Sequence, residues 1–493
     1  MNNEQSRIEM RGTRYLSLIP MVGLMISAII FFVILDAGSM LALALGAVIG
    51  LIVCSFFAKD NAKFWDAVVR GMSDESANII NLILIFAGIY AKMMAHGNVA
   101  GGFVWLGDLL HLRGAAFCVF TYIAVTIIAT STGSSMGSVL AASAVMYPAG
   151  VLLGVDNVVL MGAIISGGLT GDTIGPVSDV TIASCLTQKY SNKEGTADIP
   201  GSVMARIKYS AVIAVICIIV FAITGGGGSI AEGYDVEVLI AENSDPRGLL
   251  MLISVIALLA VAVKTRNTFL SIAVGVLTGT VIGLASGVFT VSSIISVTAD
   301  GALAGFVADG ISGVLETLVF VYMMFATIGV LRATGTIDDI IARLNRSKFA
   351  GAVVGAEIII MVSSILCGVA MCGDNTPAIL LCGPVADELG RSHKLHPYRR
   401  ANLLSAFTSS LSMMSPVSSF FIFLSVSISL SLQDSYPFIP EIVPTQMPFT
   451  LVFCWAAFVV YLFSIITGWG RIYEGPQGEP VKAPPTGADH RNA

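Results

Sequence analysis

Charge is what this chain lacks. Asp, Glu, Lys and Arg make up 12% of its 493 residues, about half the ~25% of a soluble domain. A soluble protein of this length divides into several domains, each coated with charge, and there is too little charge here to do so. A soluble enzyme and a disordered chain are both excluded. The net charge of −6 comes with no basic stripe, so nucleic acid is not a partner. The eight cysteines (Cys54, Cys118, Cys185, Cys217, Cys367, Cys372, Cys382 and Cys454) each sit in an apolar run, and none has zinc-finger spacing. They read as small buried hydrophobes, not as a disulfide scaffold. No HExxH, GxSG or GxGD motif and no P-loop is present, which leaves no enzyme motif and no direct use of ATP. No cofactor is called for. The first apolar run, 15–35, is about twice a signal-peptide core and lacks a small-residue cleavage site.

What is abundant is apolar surface, 55% of residues, and glycine, 50 residues. Small residues suit packed transmembrane helices. A helix needs roughly 20 apolar residues to cross a bilayer. Residues 15–35, 37–58, 209–231, 401–433 and 442–470 meet that test, and 77–95, 247–263, 267–288 and 313–331 are further spans. The uncharged run 114–155 is about twice too long for one crossing, so it turns back at TSTGSS (130–135).

The chain repeats after about 240 residues. PVSD at 176–179 recurs as PVSS at 416–419, and IFAGI at 85–89 as MFATI at 324–328. The breaks TSTGSSMG (130–137) and MCGDNTP (371–377) hold corresponding places. Basic clusters (Arg7/Arg11/Arg14, Lys59/Lys63/Arg70, Lys189/Lys193/Arg206/Lys208, Lys264/Arg266, Arg332/Arg343/Arg346/Lys348, Arg391/Lys394/Arg399/Arg400, Arg471) mark cytoplasmic loops, while 225–246, 289–311 and 433–446 are external. Both termini are then cytoplasmic, and the membrane is the inner, cytoplasmic one.

The expected fold is an all-α polytopic membrane protein with inverted-topology repeats, each with a re-entrant helical hairpin and a broken transmembrane helix. A cytoplasmic N-terminus (1–13) precedes repeat 1 (14–231; hairpin 113–153, broken helix 157–187). An external linker (232–245) leads to repeat 2 (246–470; hairpin 349–390, broken helix 401–432), and the tail 471–493 reads as disordered. This gives ten full crossings and two hairpins, or fourteen crossings if the hairpins span.

Broken helices at membrane depth need protein or water to satisfy their backbone. GDTIGPVSD (171–179) breaks the first and SSLSMMSPVSS (409–419) the second, each around a Pro. Freed N–H groups attract anions. Freed carbonyls, hydroxyls and carboxylates suit Na⁺ as a coupling ion. Asp172, Asp179 and Asp374 are the Na⁺ candidates. Thr173, Ser178, Thr132, Ser134, Asn375, Thr376, Ser412, Ser415 and Ser418 complete the expected site. A buried carboxylate is costly, and one that binds either Na⁺ or H⁺, not both, suffices for exchange. Glu316 and Glu357 read equally as proton-path or packing residues. Asp36 reads as solvated, and His96, His111, His393 and His396 as loop or interface residues. The serines of 425–431 read as a small-residue packing face.

The segment GDTIGPVSDVT (171–181) resembles the signature of the NhaC-type sodium/proton antiporter family, close to G-D-x-x-S-P-x-S-D-T-T. Gly171, Asp172, Pro176, Ser178, Asp179 and Thr181 match; Gly175 and Val180 depart. The resemblance extends loosely over 14–468. It implies inverted repeats, Na⁺ or H⁺ coupling, elevator-like movement in some members, and Asp172 and Asp179 near the ion. The family also includes exchangers of small organic acids, such as malate for lactate. Where many members carry Pro-Trp-Asn near the second break, this chain has Pro416-Val417-Ser418. The leading expectation is Na⁺/H⁺ exchange; the alternative is Na⁺- or H⁺-coupled movement of a small carboxylate or amino acid. A homodimer is compatible with either.

Overall fold

Helices account for nearly all regular structure, as expected of a chain whose backbone must satisfy itself in lipid. The structure is a computed structural model. It describes residues 7–35, 39–110, 112–175, 178–228, 245–265, 267–299, 301–336, 339, 343, 351–416, 418–433 and 435–484. Nine helical stretches among these are long and apolar enough to cross a membrane, and four shorter apolar helices accompany them. Asp36, His111, Pro176, Val417, nearly all of the linker and the last nine residues of the tail lie outside the described residues.

The first half runs α1 (Ile19–Ala28), α2 (Met40–Ser55), α3 (Asn61–Met72), α4 (Glu75–His96), α5 (Val99–Leu109), α6 (Ala115–Thr132), α7 (Ser135–Leu152), α8 (Asn157–Ile174), α9 (Asp179–Leu186) and α10 (Ile199–Thr224). The second half runs α11 (Leu252–Thr265), α12 (Thr268–Ser286), α13 (Phe306–Ser312), α14 (Leu315–Ala333), α15 (Val353–Ala370), α16 (Asn375–Ser392), α17 (Pro397–Thr408), α18 (Phe420–Gln433) and α19 (Val452–Thr467). Two small antiparallel ladders, Ser296–Val297 with Leu303–Ala304 and Tyr473–Glu474 with Pro480–Val481, are the strands described. Local chemistry sets many boundaries. Side chains of Ser39, Asp60, Asp156, Asp198 and Asn267 accept N-terminal N–H groups. Gly287 and Gly468 end α12 and α19 in left-handed conformation. The amphipathic helix α3 buries Phe64, Ala67, Val68 and Gly71 and exposes Lys63, Asp66 and Arg70.

The duplication is visible in the packing. Helices α6 and α7 form a hairpin, as do α15 and α16; α8 and α9 form one broken helix, α17 and α18 the other. Helices α2 and α3 of the first half pack on α14 of the second, while α12 and α13 of the second pack on α4 of the first. Helix α9 packs on α16, and α18 on α7. Every one of these contacts crosses between halves and has its counterpart.

The halves run oppositely. Helix α19 starts beside α8, where the Phe453 N–H donates to Ser166 Oγ (3.3 Å), and ends beside the start of α17, where Arg399 Nη1 donates to Ser464 Oγ (2.7 Å). Helix α10 runs against α8, with Gly226 bridging to Val155 just before α8 and Arg206 reaching Thr173 at its end (3.2 Å). Helix α17 runs along α10, with Asn402 meeting Ser202 (3.1 Å) and Ser405 meeting Arg206 (3.4 Å), so α8 approaches its break from the opposite side to α17.

Two expectations change. The span at 209–231 starts ten residues earlier, at Ile199, capped by Asp198 with Pro200 in its first turn. Arg206 is thereby inside a helix and buried, and Arg399 and Arg400 are buried at the start of α17. None of the three is a loop charge. The tail, expected to be disordered from residue 471, folds as far as 484. Its Tyr473–Glu474 strand bridges to Leu395. Glu474 accepts N–H groups of Ser191 (2.7 Å) and Asn192 (2.8 Å). Composition signalled solvation, but the tail instead supplies carboxylate and carbonyl partners to loops that lack their own.

Candidate functional site

Four helix starts meet at one place. Helix α6 ends at Gly133 with φ 67°, a conformation that favours glycine. Ser134 then caps α7, its Oγ accepting the Gly137 N–H (3.3 Å). The second hairpin turns at Cys372 (φ 62°) and Gly373 (φ 74°), and Asp374 occupies the N-cap of α16. Ser178 caps α9 after the first break, and α18 restarts at Phe420, whose N–H donates to the hairpin-tip carbonyl of Cys372 (2.9 Å). Both hairpin tips therefore meet both breaks.

They enclose a cavity of about 660 Å³. Its polar lining comes from Ser134, Ser135, Asp172, Asp179, Asp374, Asn375, Thr376 and Glu75. Its apolar lining includes Ile80, Ile83, Met136, Phe420 and Phe421. The cavity lies at the end of α4 and α14 where Arg332 pairs with Asp74 (2.5 Å).

Asp172 is 6% exposed and accepts a hydrogen bond from Ser135 Oγ (2.9 Å). It sits in the last turn of α8, three residues before the break. Asp179, the first residue of α9, is exposed on the cavity wall, and Asp374 is half-buried. Among the described residues no group of three or more His, Cys, Asp or Glu converges closely enough to hold a metal. The three aspartates thus share a cavity without converging on one ion.

Of the remaining expected residues, Ser134, Asn375 and Thr376 line the cavity. Asn375 Oδ1 is buried without a partner among the described residues. Thr132, Thr173, Ser178, Ser412, Ser415 and Ser418 are not on its wall. Thr132 Oγ1 shares a hydrogen bond with Ser138 Oγ (3.0 Å) and Thr173 Oγ1 donates to Leu169 O (2.8 Å). Ser412 donates to Thr408 O (2.5 Å) and Ser418 to Ser415 Oγ (2.7 Å). The hydroxyls of Thr132, Thr173, Ser412, Ser415 and Ser418 satisfy the interrupted backbone and one another, whereas Ser178 caps α9 and lies in hydrogen-bonding contact with the Asp172 carboxylate. Ser135 and Glu75 were missing from the expected set. Ser135 lies inside the polar break TSTGSS and is identifiable in principle; Glu75, in the first turn of α4, has no signal in the sequence that marks it.

Glu357 is an ion-pair residue. Its Oε1 accepts from Arg399 Nε (2.7 Å) and its Oε2 from Arg471 Nη2 (2.6 Å). Glu316 accepts from Ser39 Oγ (2.8 Å) at an exposed position.

No protein-family model matches the chain. It is similar to the malate-2H⁺/Na⁺-lactate antiporter of Bacillus subtilis, with 25% identity over 355 residues, covering 69% of this chain and 74% of that protein. It is also similar to the Na⁺/H⁺ antiporter NhaC of Alkalihalophilus pseudofirmus, with 24% identity over 326 residues, covering 62% of this chain and 69% of that protein. Two solved structures align at 12% identity and TM-score 0.37. One is the YdaH transporter of Alcanivorax borkumensis (84% of this chain, 90% of that one) and the other is MtrF of Neisseria gonorrhoeae (82% and 84%). Both curated relatives are antiporters, and the resemblance to the NhaC-type family read from residues 171–181 is borne out by them.

Proposed function

We propose that this chain is a secondary transporter that exchanges Na⁺ for H⁺ by alternating access, in the inner membrane and with both termini cytoplasmic. The observation that carries the reading is Asp172. It is a buried carboxylate at a helix break, bonded to Ser135 of the facing hairpin, on a cavity built by both halves. An ionised carboxylate in so dry a place needs a cation or a proton. Na⁺ is the coupling ion, and occupancy by Na⁺ excludes the proton. The hydroxyls of Ser134 and Ser135 supply hard oxygens beside it.

The test is direct. Adding Na⁺ to acid-loaded proteoliposomes should move protons, and Asp172→Asn should abolish the movement. A pH-gradient dye that stays silent for every monovalent cation refutes the reading.

A second reading has its own support. About 660 Å³ exceeds the needs of a bare cation and falls within the range of small-molecule pockets. The starts of α7, α9, α16 and α18 line it, and helix N-termini favour anions. A small carboxylate carried with Na⁺ or H⁺ would use both features. Screening carboxylates and amino acids for thermal stabilisation in Na⁺ versus K⁺ separates the two. A solute that stabilises only in Na⁺ replaces simple exchange with coupled solute transport.

A further inference from the structure

Arg206 lies in the second turn of α10, among the most deeply buried large side chains of the molecule, 1% exposed. Its Nη1 donates to Thr173 O (3.2 Å) and to Ser405 Oγ (3.4 Å). Its Nε and Nη2 are buried with no hydrogen-bond partner among the described residues. A buried cation with two idle donors is unfavourable unless other charge offsets it. Two sources of negative charge are at hand. Thr173 O is one of the carbonyls freed where α8 ends, at the negative end of the helix dipole. Asp172 is the preceding residue, and the charges of Arg206 and Asp172 act on each other. Ser405 belongs to α17, the broken helix of the other half. One guanidinium thus ties the ends of both interrupted helices together beside the candidate cation site.

We propose that Arg206 is a positioning residue of that site: a fixed positive charge that holds the broken end of α8 and limits how tightly Asp172 retains its cation. A carrier must release what it binds. A lone carboxylate in a dry break would hold Na⁺ too firmly, and a permanent positive charge at the neighbouring peptide weakens that grip. The inference deepens the Na⁺/H⁺ reading and rests on it.

The experiment compares wild type, Arg206→Gln, Arg206→Lys and Ser405→Asp. It uses Na⁺ titrations of thermal stability in detergent and Na⁺-driven exchange in proteoliposomes. Arg206→Gln lowers the half-saturating Na⁺ concentration on the order of ten-fold and slows maximal exchange. Tighter binding with slower turnover is a split that mere loss of packing does not give. Arg206→Lys keeps the charge and stays near wild type. Ser405→Asp sets a carboxylate against the guanidinium and reproduces the Gln phenotype, so the proposal stays testable if Arg206→Gln does not fold. An unchanged or raised half-saturation in Arg206→Gln or Ser405→Asp, or a Lys variant that behaves like Gln, overturns the proposal alone. A wild type that ignores Na⁺ in both assays removes the exchange reading and this proposal with it.

Discussion

Glu357 shows how much a single carboxylate can hold. It is fully buried between Arg399 and Arg471, and Arg399 also reaches Tyr209 OH (3.1 Å) and Ser464 Oγ. One acid therefore joins α15, α17, α10, α19 and the tail. Removing one partner of such a group leaves buried charge uncompensated, at about 3–5 kcal/mol. Glu357→Gln should lower the thermal unfolding temperature of the detergent-solubilised protein markedly, while Glu316→Gln, at an exposed position, should leave it nearly unchanged. At the site itself, Ser135→Ala removes one of the hard oxygens proposed to face Na⁺ beside Asp172. Its loss should raise half-saturating Na⁺ roughly ten-fold, about 1.4 kcal/mol, as measured by Na⁺ titration. Asp172 was legible from sequence because an acid beside Gly and Pro in an apolar run is costly there unless it binds a cation or a proton. Arg206 was not. A charge near the edge of a hydrophobic stretch reads as a loop, and its true partners, Thr173 and Ser405, are 33 and 199 residues away.

Among the elements, the hairpins and broken helices were readable because polar, Gly-containing runs interrupt apolar ones at a shared offset. The ordered tail was not, since its anchors are backbone groups of distant loops. His396 is one of those anchors. Its Nδ1 accepts the Tyr398 N–H (3.2 Å), which leaves the proton on Nε2 to be donated to Gly478 O (3.2 Å). Burial is the main cause that lowers its pKa from 6.5 to about 4; Gly478 and Glu474 oppose the shift, and Arg400 and Lys193 add to it. The folded form refuses a proton that the released form accepts. The tail's attachment should therefore be complete above pH 6.5 and weaken as pH falls from 6.5 toward 4. Limited proteolysis of the tail at stepped pH should show cleavage rising over that window. His396→Asn should flatten the response.

At the scale of the whole molecule, the two halves swap partners. Gly71 of α3 lies against α14, where an added Cβ would meet the Phe325 carbonyl; Gly310 of α13 lies against α4, where it would meet Ile89. Among the described residues, the symmetry fails between α4 and α14. Helix α4 packs along α7 and α18, whereas α14 meets their counterparts, α16 and α9, marginally at most. Under the proposed alternating access, the duplication leads us to expect a second state in which α14 takes up those contacts. Ile80 and Phe421 face the present cavity; their counterparts by the repeat offset are Val319 and Thr181. A Val319→Cys/Thr181→Cys pair should cross-link during Na⁺-driven turnover and not when transport is blocked. The eight native cysteines are all buried and should stay silent. No cross-link under any condition would argue for a fixed arrangement of the two halves.

The fastened tail bears on how the protein is handled. A shortened version stopping at Trp469, just past the final helix, would shed Arg471 and Glu474 together. Glu357 would keep one arginine instead of two, and the loop around Ser191 would lose its acceptor. Such trimming, meant to tidy a loose end for purification, would loosen the packing of several helices at once.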